Sequence, residues 1–424
     1  MSIYSSHFST TKTSQSEKIP GRNQIKNNAG GFVFSADDMQ VLNRFLILGT
    51  EGGSYYVGEK TLTIDNANTV LKLVQSRGLE VVNKVVEISE AGRAVNNDPA
   101  LFVLAMAAKL GDQETRKAAF KALPQVARIP THLFTFVEGI KAFGGFGRAT
   151  RRAISNWYTE KNLNQLQYHL SKYKQRNGWS NADLLRLCHV KTEDIAKNNL
   201  FKWAGVQYKS TDIDLSDLAY IQAVEEISRA TSKKDVVRLI KENNLPREVV
   251  PTKFLNEKSV WEALLEKMPM TALIRNLGKI SSLEMTEPFS NTTKDIVAKL
   301  ANQEVIRKAR VHPLTILNAL YAYRDGKGLK GNLSWQPNAE VIEALDNAFY
   351  LAFGNVEPTN KNIILALDVS GSMSFNKIAG TSLTPREASA AMALITHRVE
   401  PNTHIVAFSN TLTSLTFTKR ATLS

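Results

Sequence analysis

From about Ala36 to Ala352 apolar residues recur at three- and four-residue spacing, the pattern of helices that bury one stripe. One helix can be bounded closely: Asp98 suits an N-cap, Pro99 the first helical position and Gly111 the residue just past the end. Between them Leu101 to Ala108 is apolar around nearly the whole circumference, which predicts a buried helix. Further helices are expected over about Gln113–Val126, with Arg116, Lys117 and Lys121 on one side, and His132–Phe143, stopping at Gly144-Gly145. Helices joined by short Pro- and Gly-marked turns continue to about Phe353. Successive helix pairs of this kind suggest a HEAT-like array, in which each pair must stack on its neighbours to bury its face.

After Glu357-Pro358 the pattern changes. Asn362 to Asp368 is a short apolar run ending in a carboxylate, as expected for a strand buried on both faces. Thr384-Pro-Arg-Glu387 has capping-box spacing with proline at the first position, and its helix should bury Ala388, Ala391, Met392 and Ile395. His404 to Phe408 reads as a second strand and Leu415 to Phe417 as a third. Strand, helix, strand opens a parallel α/β domain. Residues 1 to about 31, rich in Ser, Thr, Asn and Lys, carry too little apolar surface to fold alone and read as a disordered arm. The expected organisation is thus an arm over 1–31, a helical-repeat domain over 32–357 and the N-terminal part of an α/β domain over 358–424.

Composition adds limits. The 424 residues are 43% hydrophobic and 22% charged, ordinary for a packed protein. No uncharged apolar run reaches the ~18 residues of a membrane span. A single cysteine, Cys188, excludes an internal disulfide framework and a cysteine-based zinc site, and suits a reducing, cytoplasmic setting. Charge is less ordinary: 53 Lys and Arg against 40 Asp and Glu leave a net +13. Lys141 to Lys202 alone holds twelve basic and four acidic residues, interleaved with Trp157, Tyr158, Tyr168, Tyr173 and Trp179. A polyanion, RNA above all, is the partner such a segment fits.

Three groups of residues could carry chemistry. Asp368, Ser370 and Ser372 follow a strand and supply hard oxygen donors suited to a mostly hydrated Mg²⁺. Lys172 and Arg176, four apart, are placed on one helix face away from Leu163, Leu166, Leu170 and Tyr173, with Asn177-Gly178 ending that helix. Ser180 to Asp183 then opens a new helix that presents His189, beside Cys188, one helix later. Gly326 to Gly331 lacks phosphate-loop spacing and is a basic loop. No nucleophile–base arrangement can be assembled, so no enzyme is expected.

Several longer blocks point further. Gly49 to Tyr56, Ala119 to Ala122, Arg128 to Phe136, Lys172 to Ser180, Asp183 to Leu187, Met270 to Lys279, Arg310 to Pro313 and Leu367 to Ser370 resemble the Ro ribonucleoproteins of the TROVE family. The Asp368-Ser370-Ser372 element resembles the metal-ion-dependent adhesion site of von Willebrand factor A domains. The resemblance implies a mainly α protein, a ring of HEAT-like repeats followed by the start of a von Willebrand factor A-like domain. It implies a monomeric RNA-binding protein, with no membrane association. Small non-coding Y-type RNA would bind the outer basic surface, and misfolded or single-stranded 3′ ends a central hole, in RNA quality control with an exoribonuclease as a further partner. It places RNA contacts on Lys172, Arg176 and His189, and the expected set extends to Lys174, Lys117, Lys121 and Arg128. Location would be cytoplasmic, and nuclear as well in a eukaryote. The family's A domain continues beyond the stretch matched by this sequence, and its later Thr and Asp have no counterpart here, so either the sequence is a fragment or it is a shortened form with an impaired metal site. The alternative is a protein-docking scaffold that uses a metal-dependent A domain.

Overall fold

The computed structural model describes residues 14, 16–27, 30–49, 59–94, 96–206, 213–328, 331–378 and 380–423. Most of the Gly49–Tyr56 block lies outside them, as do residues 329 and 330 of the basic loop. Two compact units divide the chain, Met1–Val224 and Glu225–Ser424.

The first unit opens with strands β1 (Gln24–Lys26) and β2 (Phe32–Phe34), paired antiparallel with Ile25 opposite Val33. Part of the arm expected to be disordered therefore pairs, because the two three-residue strands satisfy each other's backbone. Helices α1 (Asp38–Leu48), α2 (Glu59–Ala91), α3 (Asp98–Leu110), α4 (Gln113–Val126), α5 (Pro130–Ala142), α6 (Arg148–Thr159) and α7 (Leu163–Lys172) follow. After α7 come β3 (Gln175–Arg176) and β4 (Trp179–Ser180), then α8 (Asn181–Cys188), α9 (Ile195–Val206) and α10 (Ala219–Arg229), which runs into the second unit. Helix α3 packs against α2, α4 and α5 and is buried from Pro99 to Ala108 except at Phe102, as its apolar circumference predicts. Helix α2 is kinked at Arg77 (φ −138°, ψ 39°). The next residue must be glycine, since a Cβ on Gly78 would lie 2.1 Å from the Thr115 hydroxyl of α4.

Two local expectations need correction here. Helix α3 starts at Asp98 itself, with Asn97 as the cap residue, so the Asp98 carboxylate is not used for capping. Helix α7 ends at Lys172, and Asn177-Gly178 does not stop it. Instead these residues adopt φ of 53° and 76° and turn a hairpin in which Arg176 pairs with Trp179 and Gln175 with Ser180. Two consecutive positive φ values are what a tight hairpin turn demands, and Asn-Gly supplies them at least cost. Arg176 is therefore a strand residue and shares no helix face with Lys172.

The second unit holds α11 (Lys233–Asn243), α12 (Lys258–Glu266), α13 (Met270–Ser282), α14 (Asn291–Leu300), α15 (Gln303–Lys308), α16 (Pro313–Arg324) and α17 (Ala339–Leu351). These lead into β5 (Asn362–Asp368), α18 (Pro385–Val399), β6 (Asn402–Phe408) and β7 (Leu412–Leu415). Strands β5 and β6 pair in parallel, Asp368 level with Phe408, and β7 returns antiparallel to β6. Helix α18 carries the expected Thr384–Glu387 capping box. Strand β5, however, is not buried on both faces: α18 covers one, while Ile364 and Ala366 stand exposed on the other. Strand β7 also begins at Leu412, earlier than expected, because the chain reverses right after Phe408, where the Ser409 N–H reaches the Thr411 carbonyl. On α18 Ala391 and Ile395 are buried as expected, but Met392 is exposed and Ala393 and Leu394 take its place.

The α/β segment is tied to the helices before it. Lys377 pairs with Asp325 at 3.1 Å, the Ser382 N–H donates to the Asn318 side chain, and the Arg398 guanidinium lies over the rings of Tyr350 and Phe353. No helix among the described residues is long and apolar enough to cross a membrane.

Candidate nucleic-acid interface

The basic segment folds into α6, α7, the β3–β4 hairpin, α8 and α9. Of its five Trp and Tyr residues, Trp157 and Tyr158 are core, exposed by 1% and 0%, and cannot stack on a base. They pack edge to face, and the Trp157 indole donates to the Ala127 carbonyl at 2.5 Å. The Tyr158 hydroxyl donates to Asn181, whose amide in turn donates to the Tyr173 carbonyl at 2.8 Å. That chain of contacts sets where α7 ends and α8 begins. Tyr168, Tyr173 and Trp179 remain half-buried at the surface.

Lys172 closes α7 with its ammonium 2.7 Å from the Tyr168 hydroxyl, over the rings of Tyr168 and Tyr173. Such a cation is oriented by the π faces, and one of its three N–H donors goes to the Tyr168 hydroxyl. Beneath it His169 is buried with its Nδ1 lacking a hydrogen-bond partner, and burial, then Lys161 and Lys172, push its pKa down to about 4. Lys174 is exposed.

Arg176 reaches across to Asp98 at the first turn of α3, Nη2 to Oδ2 at 2.6 Å. The same neighbourhood contains His132 and Arg128. Burial first, and Arg128 next, lower the His132 pKa to about 4, with Arg176 acting in the same sense and Asp98 against it. A neutral imidazole thus lies within the influence of both guanidinium groups. Arg128 is exposed but bound, donating to the carbonyl and hydroxyl of Ser89 and to the Gln125 carbonyl. It joins the end of α4 to α2.

His189 sits exposed just past α8 in the left-handed region, φ 51°. The Ser180–Asp183 capping box at the other end of α8 is present as expected. Cys188 before it is buried, its thiol pushed up to about 11 by burial, so it offers no thiolate. Lys117 and Lys121 are exposed one turn apart on α4.

Structure therefore brings Arg128 and Arg176 together around Asp98 and His132, and sets Lys172 on its own tyrosine platform. Sequence reasoning missed Asp98, His132 and Glu138, which binds the Trp179 indole at 2.8 Å. The Asn177-Gly178 pair was the available signal for the hairpin that makes these contacts.

In the second unit the Asp368 carboxylate accepts the Ser370 N–H at 2.9 Å, and the Ser370 and Ser372 hydroxyls are 3.0 Å apart. The Ser370 hydroxyl and N–H hold the Asp368 carboxyl below its ordinary range. Among the described residues no three His, Cys, Asp or Glu gather as a metal cluster. One carboxylate and two hydroxyls at one turn fit a hard cation that keeps most of its water, and do not form a closed cage.

The TROVE domain matches residues 25–325, and the Ro60 von Willebrand factor A domain matches residues 362–424. The chain belongs to the TROVE family. The TROVE match contains Lys117, Lys121, Arg128, Lys172, Lys174, Arg176 and His189. The A-domain match contains Asp368, Ser370 and Ser372. Similar TROVE proteins include the RNA-binding protein RO60 of Deinococcus radiodurans, 39% identical over 414 residues, 96% of this chain and 77% of that one. Another is the RNA-binding protein RO60 of Caenorhabditis elegans, 35% identical over 481 residues, 96% of this chain and 74% of that one. The crystal structure of the Deinococcus radiodurans RO (RSR) protein is similar with a TM-score of 0.78 at 36% identity, over 91% of this chain and 78% of that one.

Proposed function

We propose that this chain is a non-enzymatic RNA-binding protein of Ro type. It binds structured small non-coding RNA of the Y class through Lys172, Lys174, Arg176 and His189, with Lys117, Lys121 and Arg128 extending the surface. Misfolded or single-stranded 3′ ends bind elsewhere on the protein, and the complex serves RNA quality control in the cytoplasm, alongside an exoribonuclease. One observation carries the reading. Eight of the twelve cations between Lys141 and Lys202 are exposed, and among the described residues Arg148, Arg151, Arg152 and Lys174 make no ion pair. A globular core has no use for such a surplus, whereas a phosphate backbone neutralises it and releases counterions.

The test is a salt titration of RNA affinity for wild type and Lys172→Ala/Arg176→Ala, with a stem-loop RNA and an unstructured oligouridylate. Both side chains are surface groups, so the fold should keep its stability to within about 0.5–1 kcal/mol. Stem-loop affinity should fall, and the salt slope of log K should flatten by roughly 0.7–0.9 for each phosphate that the variant no longer neutralises. Unchanged affinity and slope would remove the assignment.

Asp368, Ser370 and Ser372 are proposed to hold a divalent cation, Mg²⁺ by the hardness of the donors. Val369, Phe375 and Ile378 stand exposed in the same segment, Phe375 by 81%, which favours protein docking as a second activity of that segment. Docking predicts a Mg²⁺-dependent complex that Phe375→Asp abolishes while RNA affinity stays unchanged.

A further inference from the structure

Arg176 and Trp179 are register partners in the β3–β4 hairpin, so their side chains leave it on the same face. Each ends on a carboxylate that lies outside the basic segment. Arg176 meets Asp98 on α3, and the Trp179 indole N–H donates to Glu138 on α5. Trp179 is further fixed by the Phe146 ring at 5.6 Å and by the Lys141 ammonium, 5.7 Å above its own ring. Helices α3 and α5 pack on one another, so the two carboxylates hold fixed positions and the hairpin is clamped at both strands.

The Arg176–Asp98 pair uses one guanidinium nitrogen, Nη2. Nη1 and Nε make no other hydrogen bond among the described residues. A guanidinium is a rigid planar fork, and fixing one corner fixes the direction of the remaining donors. Arginine otherwise loses several rotatable bonds' worth of freedom on meeting a phosphate, a cost that prior fixation removes. Asp98 is also a negative charge beside the site. It disfavours every phosphate, and only a phosphate that lands on the pre-aimed donors recovers the loss.

We propose that Asp98 is a positioning residue for RNA recognition. It aims Arg176 at one phosphate of a folded RNA and thereby makes this surface selective for structured over single-stranded RNA. The inference rests on Arg176 contacting RNA, as proposed above.

The experiment measures affinities of the full chain for a stem-loop RNA and for oligouridylate, at fixed salt. It compares wild type, Asp98→Asn, Asp98→Glu, Arg176→Ala and Asp98→Asn/Arg176→Ala. Asp98→Asn should raise oligouridylate affinity without raising stem-loop affinity as much, so the ratio of the two falls about threefold or more. Asp98→Glu, which keeps the charge and reaches the same guanidinium, should recover most of the ratio. In the Arg176→Ala background Asp98→Asn should leave the ratio unchanged. A purely structural ion pair would shift melting temperature and leave the ratio where it was. The proposal is overturned if Asp98→Asn keeps or raises the ratio, or if it lowers the ratio equally without Arg176. If Arg176→Ala alone binds the stem-loop like wild type, the RNA-surface reading itself fails, and that result is distinct from the first. Should Asp98→Asn melt early, Asp98→Ser, also suited to a helix N-terminus, repeats the comparison.

Discussion

His132 gives the sharpest stability prediction. It is neutral in the fold because burial and the Arg128 guanidinium bring its pKa from 6.5 to about 4, with Arg176 helping and Asp98 opposing. The unfolded chain returns it to its ordinary value. Between those two values the unfolded state binds a proton that the folded state refuses, so stability is full above 6.5 and is lost as pH falls toward 4. Over the whole range that amounts to about 3 kcal/mol, and between about pH 7 and pH 5 to about 2 kcal/mol. For a unit of this size the second figure is roughly 4–8 °C of melting temperature.

The perturbation is His132→Gln, which keeps a polar side chain near the Asn97 amide, 3.4 Å from the present Nδ1, but cannot titrate. Melting is followed for both proteins at the two pH values, and the quantity of interest is the difference between their acid shifts. Carboxylates and the other histidines, including buried His169 with its similar pKa, titrate in both proteins and cancel. Wild type should lose roughly 4–8 °C more than the variant on acidification. Equal acid shifts would show that His132 is as easily protonated folded as unfolded, and the account of its burial near Arg128 and Arg176 would be wrong.

Gly278→Ala should destabilise the second unit by about 1–3 kcal/mol, seen as a lower urea midpoint, because the new Cβ would lie 2.6 Å from the Trp335 ring. That ring cannot retreat cheaply, since its indole N–H donates to the Tyr323 carbonyl and it stacks on the Tyr323 ring. Glu400→Gln should speed amide exchange around Thr359 and Asn360 while α11–α14 stay unchanged, because the carboxylate accepts both N–H groups, at 2.7 and 3.0 Å. Those bonds, Thr359 first, hold its carboxyl below the ordinary range, so the stabilisation is present above that range and fades as pH drops through the lowered value. Mg²⁺ titrated against thermal melting should give only weak stabilisation, abolished in Asp368→Ala; strong saturable stabilisation untouched by that change would move the cation elsewhere.

What the sequence made legible was local. The Ser180–Asp183 and Thr384–Glu387 capping boxes, the buried circumference of α3 and the strand–helix–strand order after Glu357 each follow from contacts within a few residues. Asn177-Gly178 shows the limit of that. The same dipeptide ends helices and turns hairpins, and only the docking of Trp179 and Arg176 onto α5 and α3 decides between them. Burial was equally out of reach. Trp157 and Trp179 look alike in a basic, aromatic stretch, yet one is sealed under Ala127 and the other lies at the surface. Strand β5 reads as doubly buried from its composition, but burial on its second face depends on what packs there, and α18 covers only one side.

Net charge marks a candidate interface but cannot rank its residues, and the reason is physical. A surplus of eight between Lys141 and Lys202 counts each cation equally, as is proper for long-range attraction through salt solution. Recognition at contact distance depends on where a donor points. Arg176, the cation nearest a carboxylate, adds least to the distant field because Asp98 cancels much of it at 2.6 Å. The same carboxylate makes it the best-oriented donor on the hairpin. Lys174, exposed and free to move, has the opposite profile. With Arg176 meeting RNA as proposed, attraction and selection would fall to different residues of one surface, and the pairing that separates them spans 78 positions, from Asp98 to Arg176, with no periodicity to announce it.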